Sequence, residues 1–303
     1  MKQHAKRQRP GFESLENRQL LAGTVLIDDS GGNLVITGDA LANHIEIRQT
    51  GLAEFTVTGK DGEQIRSPGG IFQKGPVTIP VVRGGLLVSL GSGDDSVGIE
   101  GTPAVQPIGA FLTIITGSGK DQVKISNVHT GGQLYPPQMI VPVELKRRRS
   151  VIGEAQWLNA LTPGSLTIDT GAGDKLTDAD TVNLASVKIE GPTMINTGPG
   201  ADLVTLDEIS GRQVVIDTAS GADSVELAVR GPVSLINLHL TLANDNDYLN
   251  IGTSSFVLTG IELSRFEGGR GLNYLTGYAN LNVRTRSRLV NPRTTGFIVD
   301  PVK

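Results

Sequence analysis

An acidic residue that closes a glycine-rich turn recurs along this chain, and it is the residue type best placed to do chemistry. The turn reads Gly-Ser-Gly-Lys-Asp at 117–121, Gly-Pro-Gly-Ala-Asp at 198–202 and Ala-Ser-Gly-Ala-Asp at 219–223. Aligning all copies on the closing position gives Asn43, Asp95, Asp121, Asp180, Asp202, Asp223, Asp247 and Asn273. A carboxylate beside exposed backbone carbonyls can hold a cation, or it can accept hydrogen bonds from nearby N–H groups.

The segments on both sides of this turn must be the elements that position it. Their apolar residues alternate with polar ones, which predicts a β-strand before and after each turn because side chains in a strand point to opposite faces. After the turn, one face carries Val97 and Ile99, Val123 and Ile125, Val182 and Leu184, Val204 and Leu206, Val225 and Leu227, and Leu249 and Ile251. Before the turn, it carries Leu34 and Ile36, Leu112 and Ile114, Leu166 and Ile168, and Val214 and Ile216. Stacked repeats would merge these residues into shared aliphatic columns.

The spacing of the turns predicts the fold class. Successive closing residues are 52, 26, 59, 22, 21, 24 and 26 residues apart, so most gaps are one unit of 21 to 26. A third short strand such as Val187–Ile189 follows, and Gly-Pro pairs at 75–76, 191–192 and 231–232 suit tight corners. We predict an all-β, right-handed parallel β-helix of about ten coils. An antiparallel β-sandwich is the alternative.

The two long gaps need separate explanations. The 52 residues between Asn43 and Asp95 are twice 26, which predicts one degenerate coil between them. The 59 residues between Asp121 and Asp180 predict two coils plus an inserted loop. The segment Phe55–Gly62 is interpreted as a hairpin or a decayed coil.

Several turns resemble the calcium-binding RTX, or haemolysin-type, repeat. The resemblance is carried by Thr116–Asp121, Thr197–Asp202 and Leu90–Asp95. In that family, calcium lies between stacked turns and is held by backbone carbonyls and the motif Asp. The resemblance therefore implies Ca²⁺ as a cofactor, with the metal ligands Asp95, Asp121, Asp180, Asp202, Asp223 and Asp247.

This chain departs from the RTX pattern, and a second interpretation of the turn stays open. The first glycine is replaced by Thr or Leu, the repeat is longer, and some turns have lost glycines. Each closing Asp or Asn could instead accept hydrogen bonds from N–H groups of its own turn. Asn43 and Asn273 in the same position favour this interpretation, since Asn is a weaker calcium ligand.

Residues 1–23 are predicted to be a separate segment. A basic stretch is followed by Phe12–Ala22, which resembles the LEPR-XLL-type N-terminal segment of exported bacterial proteins. The matching residues are Phe12, Glu13, Leu15, Glu16, Arg18, Leu20 and Leu21, whereas Asn17 replaces the proline of that pattern. The resemblance implies export and an extracellular or cell-surface location. We assign residues 24–280 to the β-helix, with an insertion near 127–163, and residues 281–303 to a C-terminal cap and tail.

Composition excludes several classes of function. The chain lacks cysteine, which excludes disulfides and thiolate metal sites. It has no run of about 18 apolar residues, so we expect no transmembrane span. Residues 151–262 carry 15 acidic and 4 basic side chains, which argues against nucleic acid as a partner. The four histidines are far apart and show no metal-ligand spacing.

A second polar line runs through Asp169, Asn196 and Asp217, one residue before a threonine in three successive units. We expect these side chains to point outward, where pectate-lyase-like β-helices carry acidic functional residues, but no Lys or Arg accompanies them. The chain is therefore predicted to be a non-catalytic structural or adhesion-type protein, with cell-envelope polysaccharide or other surface proteins as partners. The alternative is a carbohydrate-active enzyme or a glycan-binding module, with a groove at these residues under the 127–163 insertion.

Overall fold

The computed structural model describes residues 23–29, 32–102, 107–131, 164–171, 177–252, 254–258, 265–277, 294–295 and 297–299. Within those residues the fold is all-β, without an α-helix, and 23 strands join one curled, mixed sheet. The export-type segment up to residue 22, residues 132–163 of the insertion and most of the 281–303 tail lie outside the described residues. Predictions about these three segments therefore stay predictions.

The described residues form 23 strands. They are β1 (Thr24–Asp28), β2 (Leu34–Thr37), β3 (His44–Gln49), β4 (Phe55–Gly59), β5 (Gln64–Arg66), β6 (Phe72–Gln73), β7 (Val77–Ile79), β8 (Leu86–Ser92), β9 (Ser96–Glu100), β10 (Phe111–Ser118), β11 (Gln122–Ser126), β12 (His129–Thr130), β13 (Ser165–Asp169), β14 (Thr181–Asn196), β15 (Leu203–Asp217), β16 (Ser224–Leu227), β17 (Val233–Thr241), β18 (Tyr248–Ile251), β19 (Phe256–Leu258), β20 (Arg265–Glu267), β21 (Asn273–Thr276), β22 (Thr294–Thr295) and β23 (Phe297–Val299).

Two columns of parallel strands carry the alternating segments. The strands that precede the turns pair in the order β2, β8, β10, β13, the end of β14, the end of β15, the end of β17, β20 and β22. The strands that follow the turns pair in the order β3, β9, β11, the start of β14, the start of β15, β16, β18, β21 and β23. Equivalent residues face one another, as where Val123 lies between Val97 and Val182. The parallel pairing runs against the antiparallel sandwich alternative.

The hydrophobic core lies between these columns, and its predicted members are confirmed. Every aliphatic residue that the alternation assigned to the inner face is at most 2% exposed, from Leu34 and Ile36 to Leu249 and Ile251. Fully burying one such side chain stabilises a fold by about 1.5–3 kcal/mol. Because each residue packs on its equivalent in the neighbouring layers, this burial is distributed along the stack.

The third strand is present as the middle part of β14 and β15. Val187 and Ile189 in β14 face Ile209 and Gly211 in β15, and the same part of β14 pairs with β12 on its other side. In each of the two strands, a residue with positive φ precedes this part: Ser186 (57°) in β14 and Glu208 (55°) in β15. The Ser186 hydroxyl donates a hydrogen bond to the Glu208 carboxylate. The predicted corner at 191–192 instead lies inside β14, where the register with β15 shifts.

The predictions for the two long gaps are wrong. No coil lies between Asn43 and Asp95, because β3 pairs directly with β9. Residues 55–79 leave the stack instead, with β4 antiparallel to β3 and β7, and β5 antiparallel to β6 and parallel to β1. The chain rejoins the stack at β8. The first part of the segment Phe55–Gly62 is β4, which thus forms the second strand of a hairpin with β3. Likewise β11 pairs directly with β14, so the gap from Asp121 to Asp180 spans one layer rather than two.

Candidate functional site

The eight closing residues of the turns form one continuous buried line, called here the Asp/Asn column. The backbone N–H of each member donates to the side-chain Oδ1 of the next. The bonds run from Asn43 to Asp95 (2.7 Å), Asp95 to Asp121 (2.8 Å), Asp121 to Asp180 (2.7 Å), Asp180 to Asp202 (2.8 Å), Asp202 to Asp223 (3.0 Å), Asp223 to Asp247 (3.1 Å) and Asp247 to Asn273 (2.9 Å). All eight side chains are at most 2% exposed.

This ladder explains why both Asp and Asn occupy the position. A single carbonyl-type oxygen is required, and Asn273 supplies it as well as an aspartate does. The donor lies in the neighbouring layer, so the interpretation that each side chain bonds within its own turn is wrong for these members. Bonds of that kind occur elsewhere, where Asp39 accepts the N–H of Leu41 (2.9 Å) and Asp217 accepts the N–H of Ala219 (3.1 Å).

The second carboxylate oxygen of the column has a different environment. Oδ2 is buried without a hydrogen-bond partner among the described residues in Asp95, Asp121, Asp202, Asp223 and Asp247. The Thr116, Thr197 and Thr218 hydroxyls approach Asp121, Asp202 and Asp223 closely enough to lower their pKa values, but outside strict hydrogen-bond geometry. The N–H bonds to Oδ1 are therefore the firm contacts of the column.

Burial dominates the electrostatics of the column, because it penalises the charged carboxylate. It raises the pKa of Asp95, Asp223 and Asp247 to about 7, and that of Asp121 and Asp202 to about 6, against the N–H bonds that lower it. Neighbouring aspartates add to the rise, as Asp202 and Asp247 do for Asp223. Part of the column therefore carries protons near neutral pH.

The backbone of the turns bears on the calcium prediction. Calcium takes six to eight oxygen ligands, and backbone carbonyls would have to supply most of them here. Several of these carbonyls already bond to the next turn, since Gly93 N–H donates to Ser118 O, Gly200 N–H to Ser220 O and Asp245 N–H to Arg270 O, each at 2.8 Å. The geometry favours hydrogen-bonded layers, and calcium at the six aspartates stays a prediction.

The polar line of Asp169, Asn196 and Asp217 is in register, as expected from the sequence. Asp169 alternates with the core residue Ile168 and occupies the register position of the exposed Asp217, which fits the expected outward direction. Asp169 itself is nevertheless only 2% exposed, and it accepts a hydrogen bond from Asn196 Nδ2 at 2.9 Å. Burial raises the pKa of Asp169. Asp217 is exposed and caps its own turn. The insertion expected to cover this line lies mostly outside the described residues.

Comparison of the chain with protein-family models, with curated proteins and with solved structures found no match. Its function is therefore inferred from the geometry of its own residues. Across the described residues, no helix has the length and apolar character needed to cross a membrane.

One cluster was missed by the sequence analysis. The structure brings His44, at the start of β3, next to Asp61 and Glu63, which lie between β4 and β5. His44 Nδ1 is 2.6 Å from Asp61 Oδ2 and 3.8 Å from Glu63 Oε1. A search for histidine spacing could not find this group, because its other members are carboxylates brought back by an antiparallel strand. The Asp61-Gly62 pair, typical of a tight turn, was the one available signal.

Proposed function

We propose that this chain forms a right-handed parallel β-helix with coils of 21 to 26 residues and acts as an exported or cell-surface structural or adhesion scaffold without catalytic activity. The observation that supports this proposal best is the Asp/Asn column, whose hydrogen bonds run unbroken from Asn43 to Asn273. Parallel strands joined by crossovers are right-handed in nearly all known cases.

The column and the aliphatic core together favour a rigid, extended body. Nine layers at the usual strand spacing of ~4.8 Å correspond to a length of roughly 40 Å. The buried aspartates contact the neighbouring layers through their backbone and Oδ1 atoms, so their polar groups hold the stack together. A body of this kind presents equivalent faces layer after layer, which suits repeated contacts with a polymer or a surface.

Localisation provides the direct test of the scaffold function. In the cells that make the protein, the full chain is expected to be degraded by protease added outside intact cells, while a form lacking residues 1–23 stays protected. Cells that lack the protein should also attach less well to surfaces or to each other. Recovery of the full chain only from the cytosol would overturn the proposal.

A glycan-binding module is the second candidate, and one surface favours it. Tyr248 and Tyr274 are 39% and 45% exposed and lie opposite one another on β18 and β21. Thr276 Oγ1 lies within hydrogen-bond distance of Tyr248 Oη (2.9 Å) and Asn250 Oδ1 (3.2 Å). Exposed aromatic rings with amide and hydroxyl groups beside them offer the mixed apolar and polar contacts that a sugar ring requires.

The tyrosine surface yields a prediction about polysaccharide binding. If it binds glycans, the double substitution Tyr248→Ala and Tyr274→Ala should weaken retention of the protein on cell-envelope polysaccharide by about tenfold, equal to ~1.4 kcal/mol. Affinity electrophoresis in gels containing the polysaccharide would measure the change. Phe72→Ala, at another exposed aromatic residue, is the control. Equal retention of the wild type, the double variant and Phe72→Ala would exclude the tyrosine surface as a glycan-binding site.

A further inference from the structure

We propose that His44, Asp61 and Glu63 form a binding site for a divalent transition-metal ion such as Zn²⁺. This site is independent of the scaffold function, because it requires only the local geometry of β3 and the turn between β4 and β5. His44 follows the first member of the Asp/Asn column directly, so the ion would lie at one end of that column.

The distances suit a small metal ion. One nitrogen or oxygen from each of the three side chains lies within 4.8 Å of the others. Bonds of about 2.0–2.1 Å in a tetrahedral zinc site place ligand atoms about 3.3 Å apart. The separations from His44 Nδ1, 2.6 Å to Asp61 Oδ2 and 3.8 Å to Glu63 Oε1, lie on either side of that value. The Asp61 side chain is 73% exposed and can adjust, whereas that of Glu63 is 1% exposed and held in place.

Glu63 provides an independent reason to expect a cation. Its side chain is almost completely buried, and its Oε2 has no hydrogen-bond partner among the described residues. Its Oε1 accepts the backbone N–H of His44 at 2.7 Å. A buried carboxylate is costly unless it is protonated, paired or bound to a metal. Burial accordingly raises the pKa of Glu63, which a bound cation would reverse.

The imidazole of His44 is oriented as in metal sites. Its Nε2 lies 3.1 Å from the carbonyl oxygen of Asp94. When Nε2–H donates to that carbonyl, the Nδ1 lone pair faces Asp61 and Glu63, and this outer hydrogen bond is typical of metal-ligating histidines. Without an ion, a proton on Nδ1 pairs with Asp61 instead. Metal and proton then compete for the same atom.

The ligand set selects the class of ion. One imidazole nitrogen and two carboxylates suit zinc and its first-row neighbours, whereas calcium prefers oxygen ligands alone. The two negative charges balance a divalent ion, and three protein ligands leave a position for water. The turn is preformed, because Asp61 (φ 55°) and Gly62 (φ 92°) adopt positive φ and Glu63 N–H donates to Lys60 O at 3.1 Å.

Isothermal titration of the chelator-treated full chain with ZnCl₂ tests the proposal. One tight Zn²⁺ ion per chain is expected, and Asp61→Asn and Glu63→Gln should each weaken its binding by at least about tenfold. Both substitutions suit the local backbone, since Asn tolerates positive φ and Gln keeps an acceptor for the His44 N–H. Glu190→Gln is the matched control. It removes the carboxylate partner of His129, a pair at 2.8 Å that belongs to no such three-residue group in the described part of the chain.

X-ray absorption of the zinc-loaded protein supplies a second measurement. It should show one imidazole among light ligands at about 2.0–2.2 Å, and this signal should be lost in Asp61→Asn. The absence of Zn²⁺ binding in the wild type would overturn the site, as would binding that both substitutions leave unchanged. Either result would leave the scaffold function untouched, because that function is tested by localisation and attachment.

Discussion

Replacing Asp223 by alanine is expected to destabilise the fold by about 1–3 kcal/mol, the cost of leaving a buried donor without a partner. Asp223 Oδ1 is the acceptor of the Asp202 N–H, and both residues are buried in the middle of the column. Alanine removes the acceptor, and water cannot replace it at a site that is 1% exposed. Asp223→Asn, in contrast, should keep the stability within about 0.5 kcal/mol or raise it, since the amide oxygen still accepts and no charge is buried.

Thermal unfolding of the three proteins, followed by circular dichroism at pH 7, measures this difference. A loss of 1–3 kcal/mol corresponds to a fall in Tm of about 2–5 °C for a chain of 303 residues. Asp217→Ala is the control. Asp217 is exposed, and within the described part of the chain its side chain accepts a hydrogen bond only from Ala219 N–H in its own turn, not from a neighbouring layer. If alanine and asparagine at position 223 behave alike, the N–H ladder does not stabilise the stack.

The protein is expected to be more stable at pH 5 than at pH 8. An ordinary aspartate has a pKa of 3.8, whereas burial raises that of Asp223 and Asp247 to about 7 and that of Asp121 and Asp202 to about 6. Between these values the folded state holds more protons than the unfolded state. The free energy of unfolding therefore falls as the pH rises through this window, and the stabilisation by protons is complete only below pH 3.8.

The expected size follows from the same pKa values. For one aspartate with a pKa of about 7, the two pH units from pH 7 down to pH 5 are worth about 2.7 kcal/mol. For a chain of 303 residues this corresponds to a Tm that is higher by about 4 °C at pH 5. The raised pKa values of Glu63 and His44 act in the same direction. The pKa of Glu190 is lowered from its ordinary value of 4.5 by the hydrogen bond with His129, so Glu190 acts only below that pH and leaves the comparison between pH 5 and pH 8 unchanged.

Melting curves at several pH values, with added CaCl₂ or EDTA, separate hydrogen-bonded layers from bound calcium. A hydrogen-bonded column predicts a Tm that decreases with pH and does not respond to calcium, and Asp223→Asn should reduce the slope. Calcium bound to ionised aspartates predicts the opposite: a Tm that increases with pH and with calcium and decreases with EDTA. The second pattern would restore the cofactor suggested by the RTX-like turns.

The amino-acid sequence by itself determined the strands, the buried face and the equivalence of the turns. Alternation is a local property with a period of two residues, so Val97, Val123 and Val182 could be assigned to one inner face before their contacts were known. The shared turn motif likewise aligned Asn43 with Asp95 and the later aspartates. These assignments needed no knowledge of loop paths, because every unit repeats the same pattern.

Only the tertiary structure decided which units are neighbours and what their polar atoms contact. Spacing cannot distinguish an extra coil from a loop that leaves the stack, so the chain between Asn43 and Asp95 had to be traced before their direct hydrogen bond was evident. The donor to each aspartate, the burial of Asp169 and the approach of Asp61 and Glu63 to His44 depend on contacts between distant residues. Burial and pairing of this kind are properties of the packed chain, and no local pattern of residues encodes them.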